Sequence, residues 1–437
     1  MPDVVVVGGG IAGLAAAWAL RDLDVVVLEA GDRVGGRIRS DRRGDYWLNF
    51  GAHVFAGPGS ASDRLLRDTG VEAVDVPGVL TAVELNGKVV AGRRVETYPF
   101  RLPLTVGDRL ALVRTGLRLR LEVARYDRVV RRASPAAVLA YDGDRSFTDW
   151  LGRVPPSVDA ILRATLRRSS GEPEDLAAGY GIGYFHLVWD RSGGLARNLL
   201  GGSGALPEAI AAELGDRIRM RTRVEEVAPA DGGVRVAHEH GEERARFAVV
   251  ATPAHVTRRF LRGAPDDTFA ALGEIAYGSY VLAALRTGEP GPAAWDDVYA
   301  VATPQRSFNM LFNTANVLRR AGPREPGGTL MVYSGGTLAR RLWDEDDTRI
   351  AETYLADLDG VFAGAAQLVE ETVVHRWEHG LPYVRPGRHR IQQALERPLD
   401  PVFLAGDYLG SRYTETAIAT GRAAAEAIRG RLGRPPS

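Results

Sequence analysis

Three glycines and a carboxylate near the start of this chain are spaced for chemistry. Gly8, Gly10 and Gly13 stand in the run Gly8-Gly9-Gly10-Ile11-Ala12-Gly13, a Gly-x-Gly-x-x-Gly turn, and Glu29 closes a second apolar run. That spacing suits a dinucleotide. Gly8 permits the tight turn, Gly10 lets backbone approach a pyrophosphate, and Gly13 lets a helix pack closely on the preceding strand. The helix start offers free N–H groups to the phosphates. Glu29 can accept from a ribose 2′-hydroxyl and would repel a 2′-phosphate. A second turn, Gly31 followed by Arg33-Val34-Gly35-Gly36-Arg37, adds backbone and a guanidinium beside the same ligand.

Other chemistries are excluded or unsupported. The 437-residue chain has no cysteine, which rules out disulfides, thiolate metal sites, a cysteine nucleophile and a cysteinyl cofactor link. His238 and His240 share one face of a predicted strand with no further ligand near, and His375 and His379 fall in a segment that reads as strand, not helix. No metal site is expected. Fifty-five basic residues balance fifty-five acidic ones, so no global field would draw the chain to nucleic acid. The first residues lack a basic leader, and the apolar run after them is broken by glycines, so neither a signal peptide nor a span is expected there. The protein is expected to be cytoplasmic.

The elements that must hold these groups can be read in order. Residues 4–7 and 25–28 read as buried strands around an alanine-rich helix at 14–20. A short helix is expected over 60–70. From residue 81 the pattern alternates around Asn86-Gly87, a hairpin signal, and a second domain begins. Residues 101–133 read as a basic helix with a solvated arginine face over core leucines, or as one that makes peripheral contact with a membrane. A capping Ser134 before Pro135 and Ser146-Phe147-Thr148-Asp149 mark two helix starts. Another helix follows Gly204-Ala205-Leu206-Pro207. Residues 219–227 and 234–239 read as strands, and 247–253 as a buried one. Residues 277–282 and 329–333 read as strands of a second sheet. A last strand ends in Gly406-Asp407, and a helix from Thr414 carries Ala417, Ile418, Gly421 and Ala424 on its packing side.

The continuation Leu28-Glu29-Ala30 to Gly35-Gly36-Arg37, with Gly406-Asp407 in the right order near the far end, resembles the FAD-dependent amine oxidase, protoporphyrinogen oxidase and phytoene desaturase superfamily. The resemblance implies an α/β fold with a Rossmann-like, glutathione-reductase-like FAD-binding domain and a mixed α+β substrate domain. The first is expected from residues 1–80, 200–255 and 395–437, and the second from 81–199 and 256–394. It implies non-covalent FAD contacted by Gly8, Gly10, Ile11, Ala12, Gly13, Glu29, Ala30, Arg33, Gly35, Gly36, Arg37, Gly51, Ala52, His53, Val224, Ala251, Gly406, Asp407, Thr414, Thr416 and Ala417. In such a site Gly51 approaches the flavin ring, Val224 meets the adenine side through its backbone, and Asp407 holds the ribityl or pyrophosphate part. The start of the last helix faces the flavin N1 and O2 edge, where its positive end stabilises the anion of reduced flavin. His53, Phe55, Trp377, Tyr383 and Tyr413 are implied to surround a substrate. His53, His379 and Glu415 remain as candidate bases.

Three functions fit these residues. The first is an FAD-dependent desaturase, dehydrogenase or oxidase acting on a C–H bond of a largely apolar small molecule, of isoprenoid or porphyrin type, with oxygen or another acceptor. The second is a flavin amine oxidase. The lysine that branch carries is absent from residues 275–285, and one ring of its aromatic pair falls at Gly380, leaving Tyr413 and a displaced Tyr383. The third is a non-redox member of the fold, either a flavin-dependent mutase or a flavin-free binding protein. Glu29, Arg37 and Asp407 argue against a flavin-free protein.

Overall fold

The four valines Val4–Val7 are fully apolar and take the centre of a parallel sheet in the computed structural model. Residues 1–76, 82–92, 94–132, 134–189, 197–321, 323–411 and 413–433 are described. The sheet runs Val402–Leu404, Phe247–Val250, Val4–Val7, Val25–Leu28 and Ile218–Arg219, all pairings parallel. A sheet covered on both faces needs such unbroken β-branched runs. Val4 and Val6 enter one core, and Val5 and Val7 the other, as strand alternation requires.

The first core is closed by helices. Ile11–Ala19 follows the glycine turn, and Tyr413–Arg431 packs along it so tightly that a Cβ on Gly421 would stand 2.1 Å from the Ala12 carbonyl oxygen. Buried Arg429 fastens the pair, donating to the Ala19 carbonyl and to Asp22. The second core lies under an antiparallel sheet of Val224–Ala230, Gly233–His238 and Gly241–Ala245.

A second, seven-stranded mixed sheet has the order Val369–Tyr383, Ala276–Thr287, Gly328–Gly335, Met310–Asn313, Ala300–Ala302, Ala82–Leu85, Lys88–Val90. Its long strand Ala276–Thr287 pairs antiparallel with both Gly328–Gly335 and Val369–Tyr383. The strand expected near 371–377 thus runs on to Tyr383. The domain boundary expected at 80–81 falls outside the described residues.

A helical layer packs beside this sheet. Ser134 and Ser146 cap their helices, the latter in a full capping box with Asp149. The basic segment 101–133 divides into Tyr98–Arg101 and Val106–Arg132. Its leucines do not all face a core, as the sequence reading expected. Leu112, Leu119 and Val123 are buried, whereas Val106, Leu110, Leu117 and Leu121 are exposed on another face. Apolar residues recur on two sides of one helix, which periodicity alone cannot separate. Among the described residues, no helix is long and apolar enough to cross a membrane.

Candidate active site

One cavity of about 730 Å³ is lined by the glycine turns at the end of the parallel sheet and by side chains of the seven-stranded sheet. Its first half is backbone. Gly8 has φ +103°, and a Cβ on Gly13 would lie 2.0 Å from the Gly8 carbonyl oxygen, so both positions demand glycine. Gly10 differs: a Cβ there would meet nothing within 4 Å. It precedes the helix Ile11–Ala19, whose start has no side-chain cap. Uncapped N–H groups beside an open space are what a pyrophosphate needs.

Glu29 clamps two turns, its Oε2 accepting from Gly9 N at 2.6 Å and its Oε1 from Gly31 N at 2.7 Å. A carboxylate has about four acceptor sites, so capacity remains for a ribose hydroxyl. Arg33 spends its donors on the carbonyls of Val34, Gly36 and Ile38, shaping the second turn. Arg37 reaches across the chain to Asp407 at 3.0 Å and to the Gly380 carbonyl at 3.3 Å. Its guanidinium is held above the usual arginine range: burial lowers it, but neighbouring Asp407 outweighs that. Gly51 fits against the Arg37 carbonyl oxygen, 2.1 Å from where a Cβ would be. Ala30, Gly35, Gly36, Ala52, Val224, Ala251, Gly406, Thr414 and Ala417 also line the cavity. These features fit FAD: an open glycine cradle, a free helix start, and a carboxylate with spare acceptors.

Some expected site residues stand elsewhere. Glu415 does not line the cavity; it accepts from Ala61 N at 2.7 Å and from Ser62 N and Oγ, neutralising the start of helix Ala61–Thr69. It is a structural carboxylate and not a base in reach of substrate. Phe55 is buried in the first core, its backbone paired with Arg197. Tyr383 packs against the helical core, and its hydroxyl accepts from Arg385. Gly13 and Thr416 lie behind the lining, Gly13 against Gly8 and Thr416 against Gly410.

The other half of the cavity is aromatic, with Tyr184, Tyr280, Phe312, Tyr333, Trp377 and Tyr413 in its wall beside Leu282 and Met331. Tyr413 holds φ +49°, an uncommon value for a bulky residue, and its ring packs 5.7 Å from that of Tyr184. His53 is buried between Gly51 and the Phe312 ring, with centroids 4.8 Å apart. Its Nδ1 is 2.9 Å from the Gly51 carbonyl, and its Nε2 has no partner. Burial pushes its pKa down to about 4, so the ring is neutral at pH 7, with Nδ1–H donating and Nε2 free to accept. His379 lines the cavity as well, stacked on His255 at 3.9 Å.

The sequence reading missed Tyr280, Leu282, Met331, Tyr333, Phe312, Tyr184 and Arg168. A signal existed for four of them. Tyr280 with Leu282, and Met331 with Tyr333, are spaced by two on strands already expected, so one face of each had to point inward. Register supplies the rest. Tyr280 pairs with Trp377, and a Cβ on Gly380 would stand 2.4 Å from the Tyr280 ring. The Tyr280 ring therefore fills the space that a side chain at position 380 would take.

A glycine-cradled dinucleotide site facing an aromatic cavity defines an FAD-dependent oxidoreductase. The chain matches the family model "Flavin containing amine oxidoreductase" over residues 11–429, and it belongs to that family. It holds FAD non-covalently. Dog amine oxidase [flavin-containing] A is 30% identical over 285 residues, 59% of this chain and 51% of that relative, so this match spans about half of the relative's length. Human amine oxidase [flavin-containing] B is 25% identical over 467 residues, covering 99% of this chain and 87% of that protein. Cyclohexylamine oxidase from Brevibacterium oxydans IH-35A shares the fold at TM-score 0.79 and 22% identity, covering 99% of this chain and 100% of that one.

Proposed function

We propose that this flavoenzyme oxidises a small amine at the carbon bearing nitrogen, with molecular oxygen as acceptor. The observation that carries the reading is Tyr280 beside Gly380: with Tyr413 it gives the cavity aromatic side chains on strand and helix, the partial cage that counted against an amine in the sequence. Family membership and the names of the relatives support amine over isoprenoid or porphyrin-type substrates. The substrate loses two electrons and two protons to give an imine, oxygen takes both to give hydrogen peroxide, and water hydrolyses the imine.

FAD, when bound, supplies the two-electron acceptor. The chain does the rest. The aromatic wall would bind the substrate's apolar part and exclude water, orienting its reacting carbon toward the bound acceptor. Neutral His53 packs its ring on Phe312 and holds the Gly51 carbonyl through Nδ1, bracing the wall of the cavity. With a pKa near 4 it is too weak to strip a proton from an ammonium, so its role is positioning. The start of helix Tyr413–Arg431, with Thr414 and Ala417 at the cavity, offers positive partial charge to a developing anion. Residues 1–80, 200–255 and 395–437 act together as the FAD-binding part, a division supported by the parallel sheet's strands coming from those segments. The exposed stripe Val106, Leu110, Leu117 and Leu121 is kept as a peripheral contact face, although neighbouring Arg118, Arg120 and Arg125 are engaged within the protein.

The test is peroxide release and oxygen uptake by purified yellow protein with panels of amines, polyenes and porphyrinogens. Turnover of amines is expected. Turnover of polyenes or porphyrinogens alone would overturn the reading.

A further inference from the structure

Charge is distributed unevenly in the cavity. Among the described residues its acidic lining consists of Glu29, Asp32 and Asp407. All three stand on the cofactor side: Glu29 is bound by backbone N–H groups and Asp407 by Arg37. Among the described residues the aromatic half contains no carboxylate, yet it contains Arg168. Two neighbouring arginines are neutralised, Arg163 in the preceding helix by Asp159, Glu172 and Glu174, and Arg167 on the same turn by Glu172. Arg168 has no such ion pair among the described residues. Arg168 and Tyr333 line the same cavity, and the positive charge of Arg168 is felt at His53, Tyr280, Tyr299, Tyr333 and Tyr413. Its backbone is pinned, because the Tyr280 hydroxyl donates to the Arg168 carbonyl.

A partly buried guanidinium without a counter-ion carries a desolvation cost that an anion would offset. Arginine is suited to that task, since its planar fork binds a carboxylate through two parallel hydrogen bonds. We propose that the substrate carries a carboxylate, held by the Arg168 guanidinium together with the Tyr333 hydroxyl, so that the substrate class is an amino acid and not a simple amine or a diamine. This rests on the amine reading above. A second ammonium would find no carboxylate in the aromatic half and would meet like charge at Arg168. The carboxylate end is thereby fixed at Arg168, and the apolar side chain is left for Phe312, Met331 and Leu282.

Holoenzyme is titrated with benzoate and with benzamide, its uncharged isostere, following the visible flavin spectrum and the melting temperature. Wild type, Arg168→Met and Arg168→Lys are compared. Benzoate is expected to bind wild type more tightly than benzamide. Arg168→Met should weaken benzoate roughly tenfold or more, Arg168→Lys should weaken it less, and benzamide should change little. Benzoate binding no tighter than benzamide in wild type, no benzoate binding at all, or equal benzoate binding by Arg168→Met would overturn the proposal. The readout does not need turnover. Carboxylate binding through Arg168 with no amine or amino acid oxidised would leave the anion site standing and defeat the amine reading. Oxidation of simple amines without carboxylate binding would do the reverse.

Discussion

Replacing Gly10 by alanine separates the cofactor's needs from the fold's. Gly10 has φ −70° and ψ 169°, a conformation open to any residue, and an added Cβ would touch no protein atom within 4 Å. The apoprotein should therefore tolerate Gly10→Ala, and the smaller entropy of its unfolded chain should stabilise it by about 0.4–1 kcal/mol. The methyl group points into the space where a pyrophosphate would take N–H groups from the helix start. Charge-assisted hydrogen bonds of this kind contribute roughly 1.5–3 kcal/mol each. Losing one lowers FAD affinity by roughly ten- to a hundredfold. Gly13→Ala is the contrasting variant: its Cβ would lie 2.0 Å from the Gly8 carbonyl oxygen. The backbone must then shift, and the apoprotein itself is expected to lose about 1–3 kcal/mol or more. Thermal melts of the two apoproteins, with FAD titrations followed by flavin fluorescence, distinguish the two effects. Unchanged FAD affinity in Gly10→Ala would refute the placement of the pyrophosphate.

Other expectations follow from single contacts. His53 has a folded pKa near 4, below its unfolded value near 6.5, so the unfolded chain binds the extra proton first. Its contribution is whole above about pH 6.5 and is lost as pH falls toward 4, up to roughly 3 kcal/mol; His53→Gln should flatten that part of the stability-against-pH curve, and an unchanged slope would contradict it. Glu415→Ala should cost about 1–2 kcal/mol in urea denaturation by leaving the Ala61 and Ser62 N–H groups at the start of helix Ala61–Thr69 without their acceptor, while activity per bound flavin stays near wild type; loss of activity without loss of stability would restore Glu415 as a catalytic group. A double-mutant cycle on Arg37→Ala and Asp407→Ala should give a coupling of about 1–2 kcal/mol in stability, and a value near zero would mean that the pair does not join the two ends of the site.

The cofactor half was legible because its chemistry is done by backbone. Gly8, Gly13 and Gly51 hold turns and close approaches that other residues cannot make, Gly10 leaves space beside the helix start, and Glu29 and Arg37 stand at fixed short distances from them along the chain. The substrate half was legible only in part, through His53, Trp377 and Tyr413, because it is assembled by strand register across long separations. Tyr280 meets Gly380 only after Ala276–Thr287 and Val369–Tyr383 pair. Spacing within either segment does not reveal that meeting. Glu415 misled for a related reason: its place beside Thr414 put it near the cofactor site along the chain, but its carboxylate turns toward the N–H groups of Ala61 and Ser62. Tyr383 and Phe55 misled because aromatic character fits a core as well as it fits a cavity. Arg168 gave no signal, since one arginine among so many in this chain stands out only once its neighbours are seen to be paired.

The most direct test is anaerobic rapid mixing of the yellow protein with amines and amino acids, protonated or deuterated at the carbon bearing nitrogen, while watching the visible flavin absorbance. The expected result is bleaching by the nitrogen compounds, slowed by the deuterium, with colour restored on admitting oxygen. Flavin that stays oxidised with every nitrogen compound but bleaches with a polyene or a porphyrinogen would contradict amine oxidation.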